Sequence, residues 1–154
     1  MSHFSFSSSR RCQQLLALCA VMTLAACASA PPVDGRLLPC PSAPHCVASE
    51  AAVRSSHYVA PLALQGRNLE TAKQQLQAVI ADMGGKISHN SNTYLSATFS
   101  SAVFGFTDDL ECRIDVAAGV VQVRSASRLG YYDMGVNRRR VETLRHGFEA
   151  ALRQ

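Results

Sequence analysis

The feature that most constrains this chain is a short apolar run near its start that ends at a cysteine. Arg10 and Arg11 precede an almost unbroken apolar segment, residues 15–26, which leads directly into Cys27. A helix that spans a bilayer needs about 20 apolar residues, so this run is too short to serve as one. A positive start followed by a short apolar run is typical of a secretory signal peptide. We therefore predict that residues 1–26 are a signal peptide and take no part in the folded domain.

The residues around Cys27 predict how that signal peptide is removed. Leu24-Ala25-Ala26-Cys27 resembles the lipobox of bacterial lipoproteins, in which cleavage before the cysteine allows its thiol to receive a lipid. Ordinary cleavage after Ala30 is the alternative. Residue 28 is alanine rather than aspartate, and by resemblance to lipoprotein sorting in bacteria with two membranes this favours the outer membrane. We expect a membrane anchor through the lipid on Cys27, with the protein in the outer membrane and facing the periplasm.

The chain beyond the signal peptide divides into a tether and one domain. Residues 27–39 contain three prolines and no helical periodicity, which is typical of an extended tether. Residues 40–154 are enough for a single domain with one hydrophobic core. The formal charge of the whole chain is only +4, and no nucleic-acid-binding motif accompanies it, so we expect no nucleic-acid partner.

Two cysteines at the start of the predicted domain enclose a short loop. Cys40 and Cys46 flank two prolines, and in an oxidising compartment we expect them to form a disulfide that contributes about 2 kcal/mol by loop closure. A metal site that uses both thiols and His45 is the alternative, but it lacks a convincing fourth ligand. We predict neither a metal nor a cofactor.

Hydropathy periodicity predicts two helices and several strands. An apolar stripe with the helical period predicts one helix from its N-cap Asn68 to about Met83, and another from Asn137 to about Leu152. Period-two alternation predicts strands at residues 58–62, 94–101, 110–116 and 120–127, the last two forming a hairpin. The sequence thus predicts an α+β single domain, with a mainly antiparallel sheet of about five strands and two helices packed on one face.

The predicted hairpin assigns sides to several residues. Alternation places Cys112 and Val116 on the buried face, and there the Cys112 thiol is expected to act as a small hydrophobic residue. Arg124 lies on the opposite face and is expected to pair with Glu111 across the two strands.

Positive charge is concentrated at the C-terminal end of the chain. From Arg124 onward there are seven arginines and three acids, and residues 138–140 are three arginines in the first turn of the second helix. A helix N-terminus already carries partial positive charge, so a negative group must offset these cations. Either internal acids form a closed network or an external anion binds. The candidate residues for both are Asp108, Asp109, Arg124, Arg128, Asp133, Asn137, Arg138 and Arg140.

The closed-network alternative makes specific pairings. In it, Asp108 and Asp109 pair with Arg128 and Arg138, and Asp133 caps the loop before the helix. The neighbouring Tyr131 and Tyr132 are expected to cover the sheet edge or a groove rather than to stack on bases.

Several segments together resemble one family. Cys40-Pro41, residues 45–49, Phe106-Thr107-Asp108-Asp109-Leu110-Glu111 and the stretch 124–142 are similar to the domain of unknown function 1499 family, and the likeness spans nearly all of residues 40–154. The resemblance implies one domain and no established reaction.

The residues favour a non-catalytic role. No nucleophile lies beside a base in any recognisable motif, so we predict no catalytic residue. We expect a lipid-anchored cell-envelope module that binds an envelope protein or an anionic ligand through the segment 128–140. The alternatives are a structural envelope lipoprotein without a ligand, and an undetected periplasmic hydrolase that uses Asp108 or Asp109.

Overall fold

The computed structural model describes residues 35–100 and 105–151. The predicted signal peptide, Cys27, residues 28–34 of the tether and the predicted element ends at Ser101 and Leu152 lie outside the described residues. The described chain forms two helices and six strands. In chain order these are β1 (Cys46–Ala48), β2 (Leu62–Ala63), α1 (Leu69–Asp82), β3 (Lys86–Asn90), β4 (Tyr94–Ser100), β5 (Thr107–Asp115), β6 (Val120–Ser127) and α2 (Val136–Ala150).

The six strands form one sheet in which every strand pair is antiparallel. The order is β1-β6-β5-β4-β3, and β2 also pairs with β6. β1 aligns with residues 124–126 of β6 and β2 with Val120 and Val121, so these two short strands lie end to end along the same edge of β6. The predicted α+β fold class is confirmed.

The edge strands are where the predicted elements differ most from the structure. We predicted one strand at residues 58–62 before the first helix, whereas two short strands are present and only Leu62 of the predicted segment belongs to either. Tyr58 forms an isolated bridge with Ala48. Pro61 has no N–H to donate to a strand ladder, which agrees with β2 beginning after it.

The hydrophobic core lies between one face of the sheet and the two helices. The stripes predicted for the helices are confirmed, because α1 buries Ala72, Leu76 and Ile80, and α2 buries Val141, Leu144 and Phe148. Leu110, Cys112 and Ile114 of β5 and Val121 and Val123 of β6 join the same core. Gly147 allows α2 to approach α1 closely, since a Cβ there would lie only 2.6 Å from a Val79 methyl group.

The ends of α1 and β5 have clear local causes. The Asn68 side chain accepts a hydrogen bond from the Thr71 N–H at 2.9 Å, so the predicted N-cap of α1 is confirmed. The predicted inward position of Val116 is wrong: β5 ends at Asp115, the chain turns there, and Val116 is 53% exposed. The alternation of a strand does not extend into the turn that follows it.

The other face of the sheet is contacted by the N-terminal part of the described chain. Leu37 is buried, and the Leu38 N–H donates to Glu111 on β5 at 3.4 Å. The predicted disulfide between Cys40 and Cys46 is confirmed, with Cα atoms 5.6 Å apart, and it ties this segment to β1. Within residues 35–100 and 105–151, neither helix is long and apolar enough to cross a membrane.

Candidate functional site

The predicted charged residues converge where β5 begins, β6 ends and α2 begins. Asp108 and Asp109 lie opposite Ser127 and Ala126 in the β5–β6 ladder. Because neighbouring strand residues point to opposite faces, the two carboxylates belong to different clusters. Asp108 faces α2, whereas Asp109 lies on the face away from the helices. A single pair of adjacent carboxylates for acid–base chemistry is therefore not formed.

Arg140 is the centre of the cluster on the helix side. One terminal nitrogen of its guanidinium donates to Asp108 at 2.6 Å. The other donates to the Asn137 side-chain oxygen at 2.6 Å and to the Ser125 hydroxyl at 3.1 Å. The guanidinium carbon also lies 4.6 Å from the centre of the Phe99 ring, which is a cation–π distance. These contacts neutralise the Arg140 charge and engage both terminal nitrogens of its guanidinium within the protein.

Asn137 connects this cluster to three other parts of the chain. It is completely buried, and its side-chain oxygen accepts from Ser125 at 2.6 Å as well as from Arg140. Its side-chain nitrogen lies within hydrogen-bond distance of the His45 carbonyl at 3.0 Å, the Ser127 hydroxyl at 3.0 Å and Asp133 at 2.9 Å. Only an amide side chain offers donors and an acceptor together in this geometry, so Asn137 joins α2 to β6 and to the disulfide loop.

Asp133 supplies negative charge at the start of α2. Its two carboxylate oxygens accept from the backbone N–H groups of Gly135 and Asn137, each at 2.9 Å. Burial opposes ionisation of this carboxyl, but the hydrogen bonds from Asn137 and Gly135 outweigh burial and hold its pKa below the ordinary value. The predicted role of Asp133 as a cap for the loop agrees with this geometry.

Two further pairs lie on the face away from the helices. Arg128 donates to both oxygens of Asp109, at 2.9 and 2.8 Å, and these bonds raise the Arg128 pKa. Arg124 donates to Glu111 at 2.5 Å, so the predicted cross-strand pair is present. Both members of this pair are buried. Burial raises the Glu111 pKa, although Arg124 opposes this.

Among the residues that the structure describes, no carboxylate pairs with Arg138, contrary to the closed-network prediction. Arg138 donates to the carbonyls of Ser56 and Tyr58, at 2.7 and 2.9 Å, in the segment that connects β1 to β2. Arg145, which the sequence analysis missed, donates to the next carbonyls of that segment, Ala60 at 2.6 Å and Pro61 at 2.8 Å. The seven-residue spacing of these arginines, two helical turns, is the signal that could have identified Arg145.

The remaining reactive groups are poorly placed for catalysis. Cys112 is completely buried, and burial, followed by the charge of Glu111, raises its pKa to about 12. A thiol with such a pKa remains protonated and is a poor nucleophile at neutral pH. The His57 ring lies 2.9 Å from the Cys46 carbonyl through Nδ1. Among residues 35–100 and 105–151, no three His, Cys, Asp or Glu side chains are grouped so that they could hold a metal ion.

Apolar side chains of the same loop remain exposed. Leu129, Tyr131, Tyr132 and Met134, which we call the loop patch, have between 60% and 76% of their surface accessible. We predicted that the two tyrosines cover the sheet edge or a groove, and both are mostly exposed in the structure. Tyr132 lines a cavity of about 310 Å³ together with Leu129, Met134, Phe106 and Val136. The loop therefore turns its polar groups inward and these apolar groups outward.

Comparison with known proteins identifies one family. The family model described as "Protein of unknown function (DUF1499)" matches residues 36–148, which include every residue of the charged clusters. None of the curated proteins matches the chain. None of the solved structures matches it either.

Replacing Arg140 tests whether its cluster holds the fold together. Arg140→Ala leaves Asp108 buried without its partner, and loss of one member of a buried ion pair costs about 3 kcal/mol. We expect urea unfolding to show a loss of about that size. The matched control is Arg139→Ala, because Arg139 is exposed and makes one hydrogen bond, to the Met134 carbonyl. The control is expected to lose less than about 0.5 kcal/mol, and equal losses in the two variants would contradict a structural role for the cluster.

Asp133→Asn tests the cap at the start of α2 through its pH dependence. The folded pKa lies below the ordinary 3.8, so the ionised carboxylate stabilises the folded protein above that pH. This contribution is lost as the pH falls through the folded pKa. We expect the variant to lose about 1 kcal/mol of unfolding free energy at neutral pH, and the difference from the unaltered protein to shrink below pH 3.8. A difference that is constant across that range would disagree with this assignment.

Proposed function

Because this chain belongs to the DUF1499 family, whose description states no activity, we propose its function from the arrangement of its own residues. We propose that it is a lipid-anchored protein of the bacterial cell envelope, held in the outer membrane by a lipid on Cys27 and facing the periplasm. In this proposal it is a binding module and not an enzyme. Its partner is recognised mainly by an apolar surface, the loop patch, and not by Arg124, Arg128 and Arg140, which pair with carboxylates.

One observation carries this proposal. Arg124, Arg128 and Arg140 pair with carboxylates, and Arg138 is engaged by two carbonyls, whereas the adjoining loop patch remains exposed. An anion that bound the paired guanidinium groups would first have to displace short internal bonds. The hydrogen bonding therefore supports the closed network over an anion site. Exposed contiguous apolar side chains are, by contrast, typical of interaction surfaces.

The states of the carboxylates and the thiol support a non-catalytic role. Asp108 and Asp109, the residues of the hydrolase alternative, are held by arginines on opposite faces of the sheet. A general base must be within hydrogen-bond reach of a substrate proton. The two carboxylates cannot serve one substrate from opposite faces, and Cys112 is inaccessible within the core.

The disulfide supports an exported location. Disulfides persist in the periplasm and other oxidising compartments and are rare in the cytosol. The Cys40–Cys46 bond joins the first described segment to the sheet and so forms part of the fold itself.

Acylation of Cys27 is the first test of this proposal. We expect mass spectrometry of the protein purified from cell membranes to find an N-terminal Cys27 that carries a lipid. We also expect the protein to fractionate with the outer membrane. Cys27→Ser removes the acceptor thiol and is expected to abolish acylation and to leave an unprocessed precursor. An unmodified, uncleaved N-terminus in the soluble cell extract would overturn the proposed anchor.

Position-specific cross-linking in living cells tests the binding surface. We expect a photoreactive residue at Tyr132 to give adducts, because Tyr132 lies in the loop patch and is 66% exposed. The matched control is the same residue at Val53, which is 72% exposed but lies in the segment between β1 and β2. Adducts at position 132 and not at 53 support a binding module. Equal or absent adducts at both positions favour the structural lipoprotein without a ligand.

A further inference from the structure

We infer that the loop patch docks the domain onto the surface of a bilayer that contains anionic phospholipids. This inference rests on the proposed function for its location and identifies the partner of the same surface as lipid. The patch then acts as a second membrane contact beside the lipid on Cys27. A protein partner and a second copy of this chain are the other possible occupants, and the test below separates them.

The chemistry of the patch suits a membrane interface. Tyrosine is enriched at this interface because its ring is apolar while its hydroxyl bonds to headgroups and water. Tyr131 and Tyr132 lie between Leu129 and Met134, whose side chains are suited to the boundary of the acyl chains. Tyr131 and Met134 have about three quarters of their surface exposed, at 75% and 76%. Their burial against lipid would remove this apolar surface from water.

Charge around the patch favours anionic headgroups. The two carboxylates near the cavity are already engaged, Asp108 by Arg140 and Asp133 by backbone N–H groups. Within the described part of the chain, Arg138 and Arg139 donate to carbonyl oxygens and form no salt bridge, so neither guanidinium is neutralised by direct pairing with a carboxylate. Basic side chains beside a membrane-facing surface are attracted to an anionic leaflet.

The loop is held in a form that presents the patch. Asp133 binds the N–H groups of Gly135 and Asn137, and the Arg139 guanidinium binds the Met134 carbonyl at 2.9 Å. Met134 also adopts a positive φ of 54°, a conformation that residues other than glycine seldom adopt unless the surroundings impose it. A fixed loop loses little conformational entropy when it binds, which favours docking.

Chain length allows the lipid and the patch to reach the same surface. Leu38 contacts Glu111, and at the rise of a strand the four residues from Glu111 to Thr107, beside the patch, span about 13 Å. Gly35 is three residues from Leu38, which adds at most about 10 Å. Gly35 is eight positions along the chain from Cys27, and extended chain of that length reaches about 25 Å. The linkage keeps the patch at a high effective concentration near the bilayer.

A fluorescent label at the patch tests this inference. The processed full chain is purified with Met134→Cys labelled by an environment-sensitive dye, and it is reconstituted into vesicles that contain nitroxide-labelled lipids. Cys112 is buried and Cys40–Cys46 are bonded, so the new cysteine is the reactive one among the residues the structure describes. Val53→Cys and Val116→Cys are the matched controls, since both positions are exposed and lie outside the loop.

We expect lipid quenching of the label at position 134 in vesicles of mixed phosphatidylglycerol and phosphatidylcholine, and little quenching at 53 or 116. Arg139→Gln is expected to lower the docking equilibrium constant of the patch, read from the quenching at position 134 of the processed chain, about fivefold at low salt, as loss of one interfacial charge does. Tyr132→Ser is expected to weaken quenching at 134 with no effect on folding, because the side chain is exposed.

Each other outcome has a defined meaning. A label at 134 that is as accessible to water as those at 53 and 116 overturns membrane docking, and is the result expected if the occupant is another protein. Self-quenching that depends on protein density but not on lipid nitroxides identifies a second copy of this chain and also overturns it. The mass of the same sample reports acylation. Quenching without acylation overturns the anchor alone, whereas acylation without quenching overturns the docking alone.

Discussion

The buried amide of Asn137 is the interaction on which the arrangement of this domain's C-terminal half depends. Its oxygen and nitrogen contact five partners on four segments of the chain, namely β6, α2, the loop before α2 and the disulfide loop. A buried polar group destabilises a fold when it lacks hydrogen bonds. Displacement of α2 would leave the Asn137 amide buried without its partners and would therefore destabilise the fold. The core packing of Val141, Leu144 and Phe148 attracts α2 to the sheet, but apolar contacts alone permit sliding. The hydrogen bonds of the Asn137 amide fix one position of α2 on the sheet.

The arginines of α2 also fix the position of the helix, because they bond to different parts of the chain. Arg140 faces the sheet and meets Asp108, whereas Arg138 and Arg145, two turns apart, face the segment between β1 and β2. The guanidinium fork suits this role because it binds two acceptors in fixed geometry, as it does for Ser56 and Tyr58. An edge built from two very short strands has few ladder bonds of its own. Arg138 and Arg145 of α2 provide additional hydrogen bonds to this edge.

The fold was predictable where the hydrophobic periodicity is strong. For the site, the sequence indicated which charged residues take part but not how they pair. Alternation at residues 110–114 identified β5 and the inward Cys112, but Asp108 and Asp109 concealed that the strand begins at Thr107, because polar residues at a strand's end do not look like a strand. The sequence indicated that negative charge must offset the first turn of α2. It did not show that Arg140 rather than Arg138 reaches Asp108. The two arginines lie two residues apart, about 200° around the helix, and the ends of predicted helices are uncertain by one or two residues, so the sequence does not decide which of them faces Asp108.

The same geometry explains why a loop beside so dense a polar network keeps its apolar side chains in water. Asp133 and Asn137 draw the polar groups of the segment inward, and the left-handed conformations of Met134 and Gly135 turn the chain sharply at the start of α2. Tyr131 and Tyr132 immediately precede this turn, and both side chains are mostly exposed. The loop patch is thus exposed beside the hydrogen-bond network that holds α2. A partner surface can cover the patch without breaking the bonds of this network.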